Sequence, residues 1–212
     1  RAKSIVNLDP TYKKKFWVKI SDEDFTSGAV ECTNPMVKVA LQEKVLRIVA
    51  GVFGEAAYLN YVVLTYSQPS EEPLSISQLW HQDRDDIKVL KLFVYLSDVS
   101  SSNSGPFTFF DLQESKKIRK GFVMKHLPDE VVFKQVNQSK RMEIVAPVMT
   151  AFFVNTESCF HMGSRVAPGH SRLMFTANFT TLPSIWPWGI HNRIRKNEES
   201  EMSTLQSLAL SE

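Results

Sequence analysis

"RLMFTANF", residues 172–179, is the stretch on which the fold turns. Read as a strand, its side chains alternate between two faces. Leu173, Phe175, Ala177 and Phe179 form an apolar face, and Arg172, Met174, Thr176 and Asn178 form a mixed polar one. An apolar back with a polar front suits a sheet that packs a core on one side and lines a cavity on the other. Similar segments recur upstream: "AYLNYVVLTYS" (57–67), "IKVLKLFVYLSDV" (87–99), "GPFTFF" (105–110), "RMEIVAPV" (141–148) and "TAFFVN" (150–155). They are short, β-branched or aromatic, and bounded by Gly, Pro, Ser and Asn. Many short strands joined by long irregular links predict a mainly-β sandwich or jelly roll with flanking helices.

One strong helical pattern precedes the strands. In "TNPMVKVALQEKVLRIVAGVFGE" (33–55), Asn34 is an N-cap, Pro35 takes the first helical position and Gly54 is the stop. Met36, Val39, Ala40, Leu46, Val49 and Phe53 recur at helical spacing, which predicts a single helix over 34–53 with one apolar stripe laid on the sheet. Residues 113–141 interrupt the strands; "LPDEVVFKQV" predicts a short helix starting near Pro128, and the segment as a whole, with little core of its own, is expected to fold over the cavity mouth. After "WPWG" the chain turns charged and serine-rich, as a late helix or a tail, with Trp186 and Trp188 read as packing residues. The expected organisation is one domain over 1–212, with a core at about 55–182 and a C-terminal extension at 183–212.

Composition narrows the function. A chain of 212 residues with a formal charge of +2 presents no electrostatic case for nucleic acid. The basic run "KKIRK" (116–120) reads as a solvated face. No apolar run is long enough to span a membrane, and no secretory signal is visible. Cys32 and Cys159 fit neither a disulfide framework nor a zinc spacing, so both are expected as reduced thiols in a cytoplasmic protein. The expected partner is a small molecule; the oligomeric state has no signature in the sequence.

The chemistry concentrates in "LWHQDRDD" (79–86), just ahead of the buried-strand pattern. On an extended segment His81 and Asp83 leave the same face and together can grip a small cation. His161, in "ESCFHMGSR" after another strand, is the candidate third ligand. Two imidazoles and one carboxylate with open positions form the facial triad of non-haem Fe(II) oxygenases, whereas a structural zinc site uses four ligands. Arg172, eleven residues after His161 and on the polar face of its strand, suits a cosubstrate carboxylate, because guanidinium binds carboxylate bidentately and keeps its charge. Asp85 and Asp86 compete with Asp83 for the carboxylate role; Asp83 is preferred as the closest same-face partner of His81. Lys91 could line the pocket and meet an acidic substrate, or snorkel. Cys159 reads as a core thiol, and His126, His170 and His191 as surface residues.

"HQD" (81–83), "SGPF" (104–107), His161 and Arg172 together resemble the phytanoyl-CoA dioxygenase family of Fe(II)/2-oxoglutarate oxygenases, over roughly residues 55–182. The resemblance implies a double-stranded β-helix, the cupin-like form of the jelly roll. It implies Fe(II) held by His81, Asp83 and His161, and 2-oxoglutarate held through its distal carboxylate by Arg172 and touched by Gln82. The implied reaction uses O2 and hydroxylates a small organic molecule, releasing succinate and CO2. Gly163 stands where family members often carry serine. Two other readings compete: a jelly-roll module that binds or senses a ligand without turnover, and a jelly-roll metalloenzyme that needs no oxoacid and hence no Arg172.

Overall fold

Residues 172–180 form the central strand of the larger of two facing sheets. A computed structural model describes residues 16–20, 29–119, 126–182, 193–195 and 202–210. Its strands are β1 (Trp17–Ile20), β2 (Ala29–Glu31), β3 (Tyr58–Ser67), β4 (Val89–Tyr95), β5 (Phe107–Phe109), β6 (Met142–Ile144), β7 (Ala151–Val154), β8 (His161–Met162), β9 (Arg172–Thr180) and β10 (Arg193–Arg195). The helices are α1 (Pro35–Ala40), α2 (Glu43–Phe53), α3 (Leu112–Ser115), α4 (Asp129–Val132) and α5 (Thr204–Ala209). The larger sheet runs β1-β3-β9-β4-β7, all antiparallel; a smaller antiparallel sheet runs β6-β5-β8; β10 pairs with β2 in parallel. The mainly-β jelly-roll architecture is the one expected, with β1 joining the sheet from well upstream of residue 55.

Alternation along β9 sets both layers. Phe175, Ala177 and Phe179 are buried on the back face with Leu59 and Val62 of β3 and Leu90, Leu92 and Val94 of β4. Against them lie Val37 and Ala40 of α1, Val45, Leu46, Val49 and Phe53 of α2, and Ala209 of α5. On the front face the register places Arg172 beside Ser67, Met174 beside Tyr95, Thr176 beside Phe93, and Asn178 beside Lys91. There Phe93, Tyr95, Val154 and Met174 meet Phe107 of the smaller sheet, with Phe93 and Phe107 ring centroids 4.8 Å apart.

The single helix expected over 34–53 is two. Asn34 caps the first, accepting from the Met36 N–H at 2.9 Å, and Gly54 ends the second at φ +74°. Between them Gln42 is extended (φ −58°, ψ 132°). The break turns Leu41 into the core and leaves Val39, counted in the expected stripe, exposed. Gln206 of α5 donates to the Leu41 carbonyl at 3.0 Å, so the break is stabilised by the far end of the chain.

The link between β5 and β6 also departs from expectation. Its described residues do have a core: Ile118, Leu127, Val132 and Val136 close around Trp80, Phe110 and Phe160. Trp80 and Leu127 exchange backbone hydrogen bonds at 2.9 and 2.8 Å. Pro128 caps α4, as expected, and Asp129 accepts from Trp80 Nε1 at 2.8 Å and from both Arg165 Nη atoms at 2.7 and 2.8 Å. Lys120, "GFVM" (121–124), Trp186, Trp188 and His191 lie outside the described residues. Among the described residues no helix is long and apolar enough to cross a membrane.

Candidate metal centre

His81 and His161 sit opposite each other and exchange backbone hydrogen bonds, 3.0 Å from His81 N–H to His161 carbonyl and 2.9 Å in return. Directly opposed residues of an antiparallel pair send their side chains to the same face. The two imidazole centroids are accordingly 4.2 Å apart. The Asp83 N–H donates to the Thr156 carbonyl at 2.9 Å, which keeps the segment extended and aims Asp83 to the side of His81. His81 Nε2 lies 3.7 Å from Asp83 Oδ1, and His161 Nε2 lies 3.6 Å from Asp83 Oδ2. One ligand atom from each of the three residues falls within 4.8 Å of the others.

Both imidazoles are held in one tautomer. His81 Nδ1 lies 2.8 Å from the Leu79 carbonyl, and His161 Nδ1 lies 3.0 Å from the Cys159 carbonyl. A carbonyl only accepts, so each Nδ1 carries the proton and each Nε2 offers a lone pair. Burial, reinforced by the neighbouring imidazole, lowers the His81 pKa to about 4 against the opposing pull of Asp83. Burial likewise lowers that of His161. Both rings are therefore neutral at neutral pH. Burial alone would raise the Asp83 carboxyl, but the Lys91 ammonium outweighs it and holds it well below the usual carboxylate range. With the imidazoles uncharged, Lys91 is the cation that keeps Asp83 ionised.

Lys91 pairs with two acids of the chain itself. Its Nζ lies 2.7 Å from Asp83 Oδ2 and 2.8 Å from Asp85 Oδ2, and it sits 5.5 Å from the centre of the Tyr61 ring. Burial opposes its charge, yet Asp83, Tyr61 and Asp85 raise its pKa well above the ordinary lysine value. These contacts also settle the place of the competing acids. Asp85 accepts from Asn178 Nδ2 at 3.2 Å and from the Tyr61 hydroxyl at 3.4 Å, away from the imidazoles. Asp86 accepts from the Ile87 N–H at 2.7 Å. Gln82 alternates away from the triad, and its Nε2 donates to the Ser158 carbonyl at 2.7 Å.

Arg172 is 2% exposed at the start of β9. Its Nη1 donates to the Gly105 carbonyl, and its Nη2 donates to Ser164 Oγ at 2.8 Å and Ser67 Oγ at 3.4 Å. Its Nε is buried with no hydrogen-bond partner, and no carboxylate pairs with it among the described residues. Desolvation lowers its pKa to about 10. Gly105 is at φ +68°, and a Cβ there would meet Val166 Cγ2 at 2.7 Å, which explains glycine before Pro106. Where family members often carry serine, Gly163 faces the guanidinium, and the next residue, Ser164, supplies the hydroxyl. A chain of contacts joins Arg172 to the histidines: Gly105 leads to Phe107, whose ring stacks on His161 at 5.3 Å.

His126, expected at the surface, is half-buried with its ring 5.2 Å from that of His81. The Trp80–Leu127 pairing puts it one step along from His81, so three imidazoles stand in a row across adjacent segments. The local sequence gives no sign of this, because the pairing spans some forty-five residues. Cys159 is half-buried beside the Phe93–Phe107 cluster and falls outside the His81–Asp83–His161 group. His170 is half-buried, with its N–H donating to the Ala167 carbonyl at 3.1 Å.

No protein-family model matches the chain, and no curated protein matches its sequence. Solved structures do match in fold. EctD from S. alaskensis, with 2-oxoglutarate and 5-hydroxyectoine, aligns at a TM-score of 0.59 and 12% identity, over 90% of this chain and 73% of its own. HygX from Streptomyces hygroscopicus, with nickel, 2-oxoglutarate and hygromycin B bound, aligns at 0.57 and 15%, over 86% and 77%. SnoN, a non-haem α-ketoglutarate-dependent epimerase from nogalamycin biosynthesis, aligns at 0.51 and 16%, over 77% and 61%. At these identities the likeness is one of fold: this chain has the jelly roll on which EctD, HygX and SnoN are built.

Proposed function

We propose that the protein is a non-haem Fe(II)- and 2-oxoglutarate-dependent oxygenase in which His81, Asp83 and His161 hold the metal and Arg172 anchors the distal carboxylate of the oxoacid. One observation carries the reading: a triad of His, Asp and His converges beside a sheet whose same face buries a guanidinium that meets no carboxylate among the described residues. Three donors leave coordination positions open. A buried charge without a counter-ion is costly, and an incoming carboxylate would offset that cost while giving the orphaned Nε an acceptor. The bound nickel and 2-oxoglutarate of HygX, and the 2-oxoglutarate and, in a separate structure, iron of EctD, support the reading through the shared fold.

Bound iron with 2-oxoglutarate and O2 would supply the oxidising chemistry that side chains lack. The chain's own residues prepare for it. His81 and His161 present lone pairs rather than protons, and Lys91 keeps Asp83 anionic. Phe107 lies flat on His161 and, with Phe93 and Phe152, walls the metal side against water. The oxoacid carboxylate would meet Arg172 bidentately; Gln82, turned away from the triad onto the Ser158 carbonyl, is given no contact to it. The finer assignment is a relative of the phytanoyl-CoA dioxygenase family that hydroxylates a small organic molecule, with neither nucleic acid nor membrane as partner. Cys32 and Cys159 form no disulfide, which suits a cytoplasmic setting.

The test is conversion of 2-oxoglutarate to succinate by protein loaded anaerobically with Fe(II) and then given O2, with and without a panel of small metabolites. Succinate release that needs iron and disappears in His161→Ala supports the reading. No release by the wild type under any condition would favour a binding module.

A further inference from the structure

The proposed reaction uses Lys91 only as the charge that keeps Asp83 anionic. It stands on β4 opposite Asn178, its side chain is 7% exposed, and it reaches two carboxylates at once. Asp85 is fixed behind it by Asn178 and Tyr61. Asp83 is treated unequally at its two oxygens. Oδ2 accepts from the ammonium at 2.7 Å, while Oδ1 takes no hydrogen bond among the described residues and lies 3.7 Å from His81 Nε2. Both oxygens border the imidazoles, Oδ2 lying 3.6 Å from His161 Nε2, but only Oδ2 is tied to a fixed cation; Oδ1 is bare.

We propose that Lys91 is a positioning residue that sorts the acids of "DRDD" (83–86), making Asp83 a one-oxygen metal ligand and keeping Asp85 out of the coordination shell. The inference rests on the metal-centre reading above. A carboxylate with both oxygens available can bind a metal through one or both, and a second nearby carboxylate can join it. In an octahedral shell two imidazoles and one carboxylate oxygen leave half the places open for a chelating oxoacid and dioxygen. A further carboxylate oxygen, from Asp83 itself or from Asp85, would take one of those places. By holding Oδ2 of both acids, Lys91 engages one lone-pair-bearing oxygen of each and leaves Asp83 Oδ1 as the oxygen free of a competing cation. Removing it should therefore spare metal binding and harm oxoacid binding, the reverse of removing a ligand.

The experiment compares wild type, Lys91→Met, Lys91→Arg and the charge-matched double variant Lys91→Met/Asp85→Asn, which keeps the net charge of the cluster if the single variant folds poorly. Each is titrated anaerobically with Fe(II), then with 2-oxoglutarate, following the visible charge-transfer absorption of the iron–oxoacid chelate. Absorption spectra of the Co(II)-loaded proteins report the coordination shell without the oxoacid. In Lys91→Met and in the double variant, Fe(II) affinity should stay within about threefold of wild type or tighten, oxoacid affinity should fall about tenfold or more, and the Co(II) spectrum should change. Lys91→Arg should restore both. Wild-type oxoacid affinity with an unchanged Co(II) spectrum in Lys91→Met would overturn the proposal. Recovery in the double variant would overturn the Asp83 half of the proposal and assign the whole effect to exclusion of Asp85. Failure of the wild type to bind Fe(II) at all would instead remove the metal-centre reading beneath it.

Discussion

Arg172 separates a ligand-binding role from a structural one. An uncompensated buried charge offsets much of what its hydrogen bonds contribute. Arg172→Met should cost about 1–3 kcal/mol in urea unfolding, because the Gly105 carbonyl loses its donor. It should also weaken 2-oxoglutarate by roughly 2–5 kcal/mol in anaerobic titration, with Fe(II) binding kept. A large loss of stability with oxoacid affinity intact would make the arginine structural. At this scale the sequence was readable where alternation decides the answer. His81 and Asp83 are two apart, and Arg172 shares a face with Asn178, so their directions follow from strand geometry alone. Lys91 was placed on the pocket-facing side of its strand, but its pairing with Asp83 and Asp85 was not foreseen, because they reach it from a loop with no regular period. His126 was missed altogether, since its approach to His81 depends on the distant Trp80–Leu127 pairing.

The elements hold these side chains through a few backbone decisions. Gly105 combines φ +68° with a 2.7 Å approach to Val166, and its carbonyl accepts from Arg172. Gly105→Ala should cost about 1–3 kcal/mol in stability from backbone strain alone. It should weaken 2-oxoglutarate as well, because the Arg172 acceptor shifts; an unaltered denaturation midpoint would contradict the strain. Leu127 is fully enclosed in the small core around Trp80. Leu127→Ala should cost about 2–5 kcal/mol in the same measurement. A cost under about 0.5 kcal/mol would show that the link between β5 and β6 is a loose cover rather than part of the fold. All six segments expected as strands were legible from β-branched and aromatic runs between breakers, and the short helix after Pro128 was legible too. The two-residue β8 was too short to show a period. The break at Gln42 was hidden because the helical pattern runs through it; Leu41 burial and the Gln206 hydrogen bond, both tertiary, decide it.

Across the whole molecule, the preformed donor set has a price in pH stability. The folded-state pKa of His81 is depressed from 6.5 to about 4, and that of His161 is depressed in the same direction. Between those values the unfolded chain binds a proton that the folded chain refuses, so stability falls as pH falls. The His81 contribution is complete above about pH 6.5 and lost by about pH 4, on the order of 3 kcal/mol. Urea unfolding of metal-free protein across that window should show the decline, and His81→Gln should flatten it. Identical profiles for the two proteins would contradict the buried neutral imidazole. The central claim is that one face of the jelly roll holds a metal and an oxoacid together, and anaerobic titration calorimetry tests it most directly. The account predicts one Fe(II) per chain, lost in His81→Ala and His161→Ala. It further predicts one 2-oxoglutarate that binds tightly only after the metal and only with Arg172 in place. Wild-type protein that takes up neither, or 2-oxoglutarate that binds equally well without metal and in Arg172→Met, would contradict it.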